Sequence, residues 1–305
     1  MPAQPNMQAL ITAHGIALAN STDIYPALHR PGDAGLPLLL VDNALGRAVI
    51  AVHGAHVMAF QPAGQGEMLW LSPQCVLESG KPIRGGIPLC LPWFGPGTDG
   101  KSMHGFARTT DWALVDAATM NTGATRMAFE LQGDATTHAL WPHAFKFRLD
   151  VLVGRELTLG LTIENRGDVV APLAFAFHTY FAVPHVAQTL VGGLDGSVVI
   201  DKLDNLSRTP QQGNVAIPSA MDRIYLDVAA AQTLKMPTHT VRIASDAHCA
   251  VVWNIGVNDK NVADIGAGNH VGYLCVERGD VSDRAVNLAP GATHRRWMTL
   301  AVDAA

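Results

Sequence analysis

The stretch FKFRLDVLVGRELTLGLTIEN, residues 145–165, decides the fold class of this chain. Every second residue is apolar from position 145 to 153 and again from 157 to 163, with mainly polar residues or glycine between them. Alternation with a period of two is typical of antiparallel strands that bury one face. The short break at Gly154-Arg155 predicts that the two strands form a hairpin.

Further segments show the same strand pattern, beginning with RMAFEL at residues 126–131. The other predicted strands are LPLLLVD from Leu36, RAVIAVH from Arg47, HVMAFQ from His56, HCAVVWNI from His248 and HRRWMTLAV from His294. Short helical turns are predicted only near residues 7–11 and 219–224. Many strands with few helices predict an all-β protein, built as a large antiparallel β-sandwich or a barrel.

The chain shows no change of composition that would mark a linker, and it contains no internal repeat. Single all-β domains of about 200–250 residues are common, so we predict one domain over residues 21–305. Residues 1–20 lack alternation and are predicted to be a loose N-terminal extension. They show no signal-peptide pattern, and no window approaches the roughly 18 apolar residues of a membrane span. We therefore expect a soluble, cytoplasmic protein.

Charge is scarce in this sequence. Charged residues make up 15%, hydrophobic residues 48%, and the net charge is -5. This composition suits a large core and disfavours nucleic acid as a partner, because nucleic-acid binding usually requires a basic face. The cysteines form no CxxC pair and are predicted to be buried free thiols. They are Cys75, Cys90, Cys249 and Cys275.

Cationic residues cluster in KPIRGGIPLCLPWFGPGTDGKSMHGFAR, residues 81–108. This stretch places Arg84, His104 and Arg108 in backbone that is punctuated by glycine and proline. Arginine offers a planar fork of donors that fits phosphate oxygens, so the pattern indicates a site for an anionic ligand. The alternative is structural: arginines that tie down a turn through carbonyl groups, and a histidine satisfied within a loop.

Two further motifs place a histidine and a carboxylate after apolar segments. His178, in FHTYF, follows the stretch PLAFAF, and burial there would let neighbouring groups tune its proton affinity. Glu277, in CVERGD, ends an apolar strand, where an unpaired carboxylate is costly to bury. The alternatives are a core histidine bonded to backbone, and an Arg278 that pairs with Glu277 or Asp280.

Other polar patterns are weaker evidence for a functional site. Asp222, in MDRIY, is either a substrate ligand or the partner of Arg223. His53 and His56, in HGAH, have a spacing that could suit a metal, but no third ligand lies nearby in the sequence, and we predict no metal site. The sequence contains no Walker motif and no GxGxxG after a strand, so no nucleotide cofactor is predicted.

Taken in order, the motifs KPIRGGIPLCLPWFGP, HGFAR, FHTYF, DRIY and VERGD resemble the hexose-6-phosphate mutarotase branch of the aldose 1-epimerase family. The resemblance covers about residues 30–300. It implies a galactose-mutarotase-like supersandwich and a cofactor-free isomerase, a glucose-6-phosphate 1-epimerase. The expected partner is a small sugar phosphate, with neither nucleic acid nor membrane, and a monomer is favoured. Family members often have glutamine where this chain has Met103, which leaves the preferred hexose open.

The resemblance also assigns roles to residues. Glu277 would be the general base and His178 the general acid, on opposite sides of one sugar ring, because ring opening removes the anomeric proton and protonates the ring oxygen. Substrate contacts would come from Arg84, His104, Arg108 and Asp222. Two alternatives remain: a mutarotase for unphosphorylated aldoses whose arginines are structural, and a non-catalytic carbohydrate-binding sandwich.

Overall fold

The computed structural model describes residues 7–98 and 100–303, and strands dominate it. The α-helices are α1 (Met7–Ala13), α2 (Ser21–Ile24) and α3 (Ala135–Leu140). The strands are β1 (Ala17–Asn20), β2 (Pro37–Asn43), β3 (Gly46–Ala51), β4 (His56–Pro62), β5 (Leu89–Cys90), β6 (Ala113–Thr119), β7 (Thr125–Gln132), β8 (Phe145–Val153), β9 (Leu157–Asn165), β10 (Ala171–Leu173), β11 (Phe175–Phe177), β12 (Tyr180–Ala182), β13 (Leu190–Gly192), β14 (Val198–Asp201), β15 (Ser207–Pro210), β16 (Val215–Ala216), β17 (Met221–Leu226), β18 (Ala231–Lys235), β19 (Thr240–Ser245), β20 (Cys249–Asn254), β21 (Tyr273–Asp280), β22 (Val286–Leu288) and β23 (Thr293–Asp303).

Two large antiparallel sheets form the sandwich. The nine-stranded sheet has the order β16-β13-β18-β19-β23-β9-β8-β7-β6. The eight-stranded sheet runs β15-β14-β17-β20-β21-β11-β5, and β12 also pairs with β21. A four-stranded sheet, β1-β2-β3-β4, and the pair β10-β22 complete the fold. Each of these ladders is antiparallel, as the alternating sequence predicts.

The hairpin predicted over residues 145–165 is confirmed as β8 and β9. Its register pairs Phe145 with Asn165 and Val153 with Leu157, so the connecting turn is one residue longer than predicted. The apolar residues of β8 and β9 share one buried cluster with residues of β20 and β21, including Val252 and Val276. The main core therefore lies between the two large sheets, where burying each large aliphatic side chain contributes about 1.5–3 kcal/mol.

The two helical predictions had different outcomes. The helix near residues 7–11 is confirmed as α1, but the helix at 219–224 is wrong. Met221–Leu226 is strand β17, which pairs with β14 on one side and β20 on the other. These partners are distant in sequence, and sheet pairing overrides a weak local helical preference.

The described part of the N-terminal segment differs from the loose extension that the sequence predicts. Helix α1 buries Ile11, which is 1% exposed, and strand β1 pairs with β2 along its whole length. Residues 1–6 lie outside the described residues. The predicted free thiols are confirmed, since all four cysteines are buried and unpaired. None of the helices within 7–98 and 100–303 has the length and apolar character needed to cross a membrane.

Candidate active site

Neighbouring strands of the eight-stranded sheet bring polar side chains to one face. Asp222 on β17 is the register partner of Trp253 on β20. Val251, two residues before Trp253 on the same face of β20, is the register partner of Glu277 on β21. Because register partners share a face of a sheet, these side chains form a row across three strands.

His178 joins this row through the pairing of β11 with β21. The antiparallel register places Phe177 opposite Arg278, so the next residue, His178, falls beside Glu277. The alternation that turns Glu277 towards the row sends Arg278 to the other face, between the sheets. There the Arg278 guanidinium donates to the Ala247 carbonyl at 2.6 Å and to the side chain of Gln232 on β18.

The alternative pairings suggested for these motifs are wrong. Within the described residues, Arg278 forms no ion pair with Glu277 or Asp280, and Asp280 instead accepts hydrogen bonds from the side chains of His294 and Arg296 on β23. Arg223 pairs with Asp201 at 2.7 Å, so it is not the partner of Asp222.

Part of the segment between β4 and β6, called here the covering segment, lies over this face of the sheet. Two of its positions must be glycine because a neighbouring backbone approaches them closely. Gly85 has φ of +115°, and a Cβ there would lie 2.4 Å from the Trp70 carbonyl oxygen. Gly105 has φ of +73°, and its Cβ would lie 1.9 Å from the Leu91 carbonyl oxygen. Only glycine accepts both the positive φ and the approach of a neighbouring carbonyl. These positions fold the segment so that its cationic residues face the sheet.

The covering segment and the sheet enclose a cavity of about 540 Å³. Its size falls within the range of about 300–1,000 Å³ that is usual for small-molecule sites. All six site residues predicted from the sequence line it: Arg84, His104, Arg108, His178, Asp222 and Glu277. Other lining residues include Phe94, Met103, Lys202, Val251 and Trp253. The distant motifs therefore converge on one space.

Glu277 and His178 lie side by side in the wall of this cavity. His178 Nε2 is 3.4 Å from Glu277 Oε1, and the two residues are 6% and 1% exposed respectively. A sugar ring does not fit in such a gap, so the expectation that they flank opposite sides of the ring is wrong. Among the described residues, His178 Nδ1 and Glu277 Oε2 have no hydrogen-bond partner. The alternative of a core histidine with its ring bonded to backbone is therefore also wrong.

Burial shifts the proton affinities of this pair in opposite directions. Burial raises the pKa of Glu277 well above its ordinary value, and the nearby Asp222 carboxylate raises it further. Burial lowers the pKa of His178 well below its ordinary value, with contributions from His104, Arg108 and Arg84. These shifts favour a neutral carboxyl group beside a neutral imidazole. Transfer of one proton from Oε1 to Nε2 converts this form into the ion pair without any exchange with solvent.

The cationic side chains that line the cavity differ in the partners that they already have. Arg84 contacts Asp264 at 3.0 Å and donates to the Tyr180 hydroxyl at 3.0 Å. Lys202 pairs with Asp222 at 2.7 Å. Arg108, which is 8% exposed, donates to the Met103 carbonyl at 2.8 Å but has no carboxylate partner among the described residues. Arg108 Nε is also buried, and it has no hydrogen-bond partner among the described residues.

His104 is held as a neutral hydrogen-bond donor. Its Nδ1 accepts the backbone N–H of Gly95 at 3.1 Å. Burial lowers the pKa of His104 to about 3, and the charges of Arg108 and Lys202 add to this effect. A neutral ring that accepts at Nδ1 carries its proton at Nε2. His104 can therefore donate to a ligand hydroxyl without adding charge to the cavity.

Comparison with known proteins identifies the family of this chain. The family model described as aldose 1-epimerase matches residues 37–301. The chain belongs to the aldose 1-epimerase family. A Salmonella typhimurium protein named "Putative glucose-6-phosphate 1-epimerase" is 33% identical over 267 residues, which is 86% of this chain and 89% of that protein. A Cenchrus ciliaris protein of the same name is 33% identical, over 83% of this chain and 80% of that protein.

Solved structures show the same fold. A crystal structure described as a "putative mutarotase" from Salmonella typhimurium has a TM-score of 0.84 and 28% identity, covering 98% of this chain and 100% of that chain. A galactose mutarotase related enzyme from Lactobacillus acidophilus has a TM-score of 0.69 at 17% identity, over 88% of this chain and 97% of that chain. The galactose-mutarotase-like sandwich expected from the resemblance is thus confirmed.

The sequence analysis does not predict Lys202 and Trp253 as site residues, although both line the cavity. Lys202 follows strand β14 directly, in IDKLD, where a lysine is indistinguishable from an ordinary turn residue. Trp253 was within a predicted strand, and its alternation with Val251 was a usable signal for a shared face. The shared face points to the cavity only once it is known that Val251 pairs with Glu277 across β20 and β21.

Proposed function

We propose that this member of the aldose 1-epimerase family interconverts the α and β anomers of a hexose 6-phosphate, with glucose 6-phosphate as the first substrate to test. One observation carries the proposal. A carboxyl group and an imidazole lie 3.4 Å apart in a buried cavity that also contains Arg108, a guanidinium with no carboxylate partner among the described residues. The names of the relatives in Salmonella typhimurium and Cenchrus ciliaris agree with this substrate class.

The proposed reaction needs one proton acceptor and one proton donor next to a single carbon atom. Glu277 takes the proton of the anomeric hydroxyl while His178 gives a proton to the ring oxygen. The ring opens to the aldehyde, the terminal bond rotates, and the ring closes with the roles exchanged. Because both oxygens are bonded to the anomeric carbon, two groups that lie side by side can reach them. Each positioned acid or base typically accelerates such a step by about 10²–10⁴-fold.

The substrate would favour the ionised form of the pair. Burial alone favours the neutral form, as the shifts of both pKa values show. A sugar bound next to the pair donates its anomeric hydroxyl to the Glu277 carboxylate and accepts a hydrogen bond from His178 at its ring oxygen, and both bonds stabilise the charged forms. The proton that moves from Glu277 to His178 leaves a carboxylate that is ready to act as a base. Binding and activation are therefore coupled through these two hydrogen bonds.

Arg108 is the group best suited to hold the phosphate. Arg108 lines the cavity and, among the described residues, donates only to the Met103 carbonyl, whereas the donors of Arg84 are directed to Asp264 and Tyr180. Charge-assisted bonds from arginine to phosphate are frequently bidentate, which fixes orientation as well as affinity. This assignment favours a phosphorylated sugar over the alternative of a free aldose. The matched acid and base likewise favour catalysis over simple carbohydrate binding.

Exchange NMR on equilibrated anomers tests the proposal. Purified protein should increase the rate of α-to-β exchange of glucose 6-phosphate above the rate in buffer, and by a larger factor than for glucose. Equal acceleration of both sugars would favour the mutarotase for unphosphorylated aldoses. Tight binding of sugar phosphate with no acceleration would favour a carbohydrate-binding protein. The Glu277→Gln variant provides the control for catalysis by buffer and contaminants.

A further inference from the structure

The imidazole of His178 is oriented by aromatic rings. Its Nδ1 is buried and has no hydrogen-bond partner among the described residues, although a bond at the second nitrogen is the usual way to fix a functional histidine. The ring instead stacks on Tyr180, with centroids 4.8 Å apart and planes inclined by 9°. The edge of Trp253 contacts it from another side, with centroids 6.0 Å apart.

Tyr180 is itself fixed at its hydroxyl group. Arg84 Nη1 donates to this hydroxyl at 3.0 Å, and Arg84 Nε donates to Asp264 at 3.1 Å. Tyr180 is 1% exposed and also stacks with Trp70, with ring centroids 5.9 Å apart. Neither Tyr180 nor Asp264 lines the cavity, so any effect of these residues on a bound sugar must be indirect.

We infer that Tyr180 is a positioning residue, whose stacked ring holds the His178 imidazole at its 3.4 Å distance from Glu277. The inference rests on the proposed function for its kinetic consequences. A displacement of about 1 Å in a reacting group can reduce a rate by about 100-fold, and the other ring contacts of His178, from His104 and Trp253, are edge-on and longer, at 5.6 and 6.0 Å. Arg84 and Asp264 restrain Tyr180 in turn, which gives Arg84 a role that does not require contact with phosphate.

A purely structural role for Tyr180 makes different predictions. In that case, its replacement would lower the melting temperature, as for any large buried aromatic residue, and would leave His178 unaffected. Tyr225 offers a matched control, because it is a buried tyrosine of the same sheet that does not line the cavity. Tyr225→Leu therefore measures the stability cost of losing a tyrosine ring without disturbing the catalytic pair.

The kinetic test compares Tyr180→Leu and Tyr180→Phe. Removal of the ring should lower kcat by about 10- to 100-fold with little change in KM, and phenylalanine, which keeps the stacked ring but loses the bond from Arg84, should retain more of kcat than leucine. In a His178→Asn background, Tyr180→Leu should cause no further loss, because a residue that acts through His178 has nothing left to position. The same loss in both backgrounds, or full activity in Tyr180→Leu, would overturn the inference. If the leucine variant does not fold, Tyr180→Met replaces it, since methionine fills irregular core space.

A spectroscopic test separates this inference from the proposed function. Two-bond ¹H–¹⁵N spectra report the ring signals of His178, which are assigned by their loss in His178→Asn. Tyr180→Leu should shift or broaden these signals, and Tyr225→Leu should leave them in place. An unchanged His178 spectrum in folded Tyr180→Leu would refute positioning even if the wild-type protein is an active mutarotase. If the wild-type protein accelerates the anomer exchange of no sugar, the proposed function is refuted. The His178 spectrum then remains the test of whether Tyr180 positions the imidazole.

Discussion

His178 Nε2 lies 3.4 Å from Glu277 Oε1 because the register of two neighbouring strands places the residues side by side. β11 ends one residue before His178, and β21 pairs with it so that Phe177 is opposite Arg278. A shift of one residue in this register would turn Glu277 to the other face of the sheet. The core pairing that stabilises the sandwich is thus also what assembles the proposed acid–base pair.

Replacement of Glu277 by glutamine should remove activity but not stability. The amide has the shape of the carboxyl group and cannot exchange a proton with the sugar, so kcat should fall by about 10²–10⁴-fold. Glu277 is 1% exposed and its Oε2 is unpartnered among the described residues, so a neutral amide should cost no stability. Exchange NMR measures the rate, and thermal unfolding provides the folding control. A rate equal to wild type would rule out the role of Glu277.

Replacement of His178 by asparagine should cause a loss of similar size. Acid and base act in the same step, so the Glu277→Gln, His178→Asn double variant should be hardly slower than either single variant. Rates of the four proteins on glucose 6-phosphate give this comparison directly. Losses that multiply in the double variant would show that the two groups act in separate steps, contrary to the proposed mechanism.

Local pattern was enough to predict the most regularly alternating strands and the charged residues of the site, but strands such as β6, β14, β18 and β19 were not predicted. The alternation in residues 145–165 reports a buried face at every second position, and hairpin β8–β9 follows from it with only its turn length misjudged. Glu277 and His178 stood out because an ionisable side chain at the end of an apolar segment is costly to bury. These patterns depend only on residues that are adjacent in sequence, so they can be recognised without knowledge of the fold.

Long-range pairing could not be predicted in the same way. The segment 219–224 has no neighbours in sequence that reveal its sheet partners, so strand β17 was predicted as a helical turn. Similarly, no local feature connects Arg84 to Asp264, or shows that the acid and base lie side by side. These relations depend on register between distant strands and on the path of a covering segment.

Arg108 and Arg84 should differ in their effect on substrate choice. Arg108→Ala removes a cation with no carboxylate partner among the described residues, so it should raise KM for glucose 6-phosphate by about 10- to 100-fold and change glucose kinetics little. Arg84→Ala releases Tyr180 and Asp264, so it should lower kcat for both sugars. Parallel kinetics on the two sugars make the comparison. Equal losses on both sugars in Arg108→Ala would contradict a phosphate contact.

Asp280 should make stability depend on acid pH. Burial raises the pKa of this carboxyl group, but bonds from His294 and His248 and the charge of Arg296 outweigh burial and lower it from 3.8 to about 2. A carboxyl group whose pKa is lower in the folded than in the unfolded protein stabilises the fold at pH values above its unfolded-state pKa. This stabilisation is lost as the pH falls towards its folded-state pKa. The free energy of unfolding should therefore drop by about 2 kcal/mol between about pH 4 and pH 2.

Asp280→Asn provides the test of this acid dependence. The amide cannot ionise, so the variant should be less stable at neutral pH by about 3 kcal/mol, as expected when one partner of a buried ionic network is lost. Its stability should also fall less steeply than that of wild type as pH decreases to about 2, because Asp280 no longer takes up a proton on unfolding. Urea unfolding measures both quantities, and Asp42→Asn, in an exposed pair with Arg47, is the matched control. Parallel pH curves for wild type and Asp280→Asn would show that other carboxyl groups govern the acid transition.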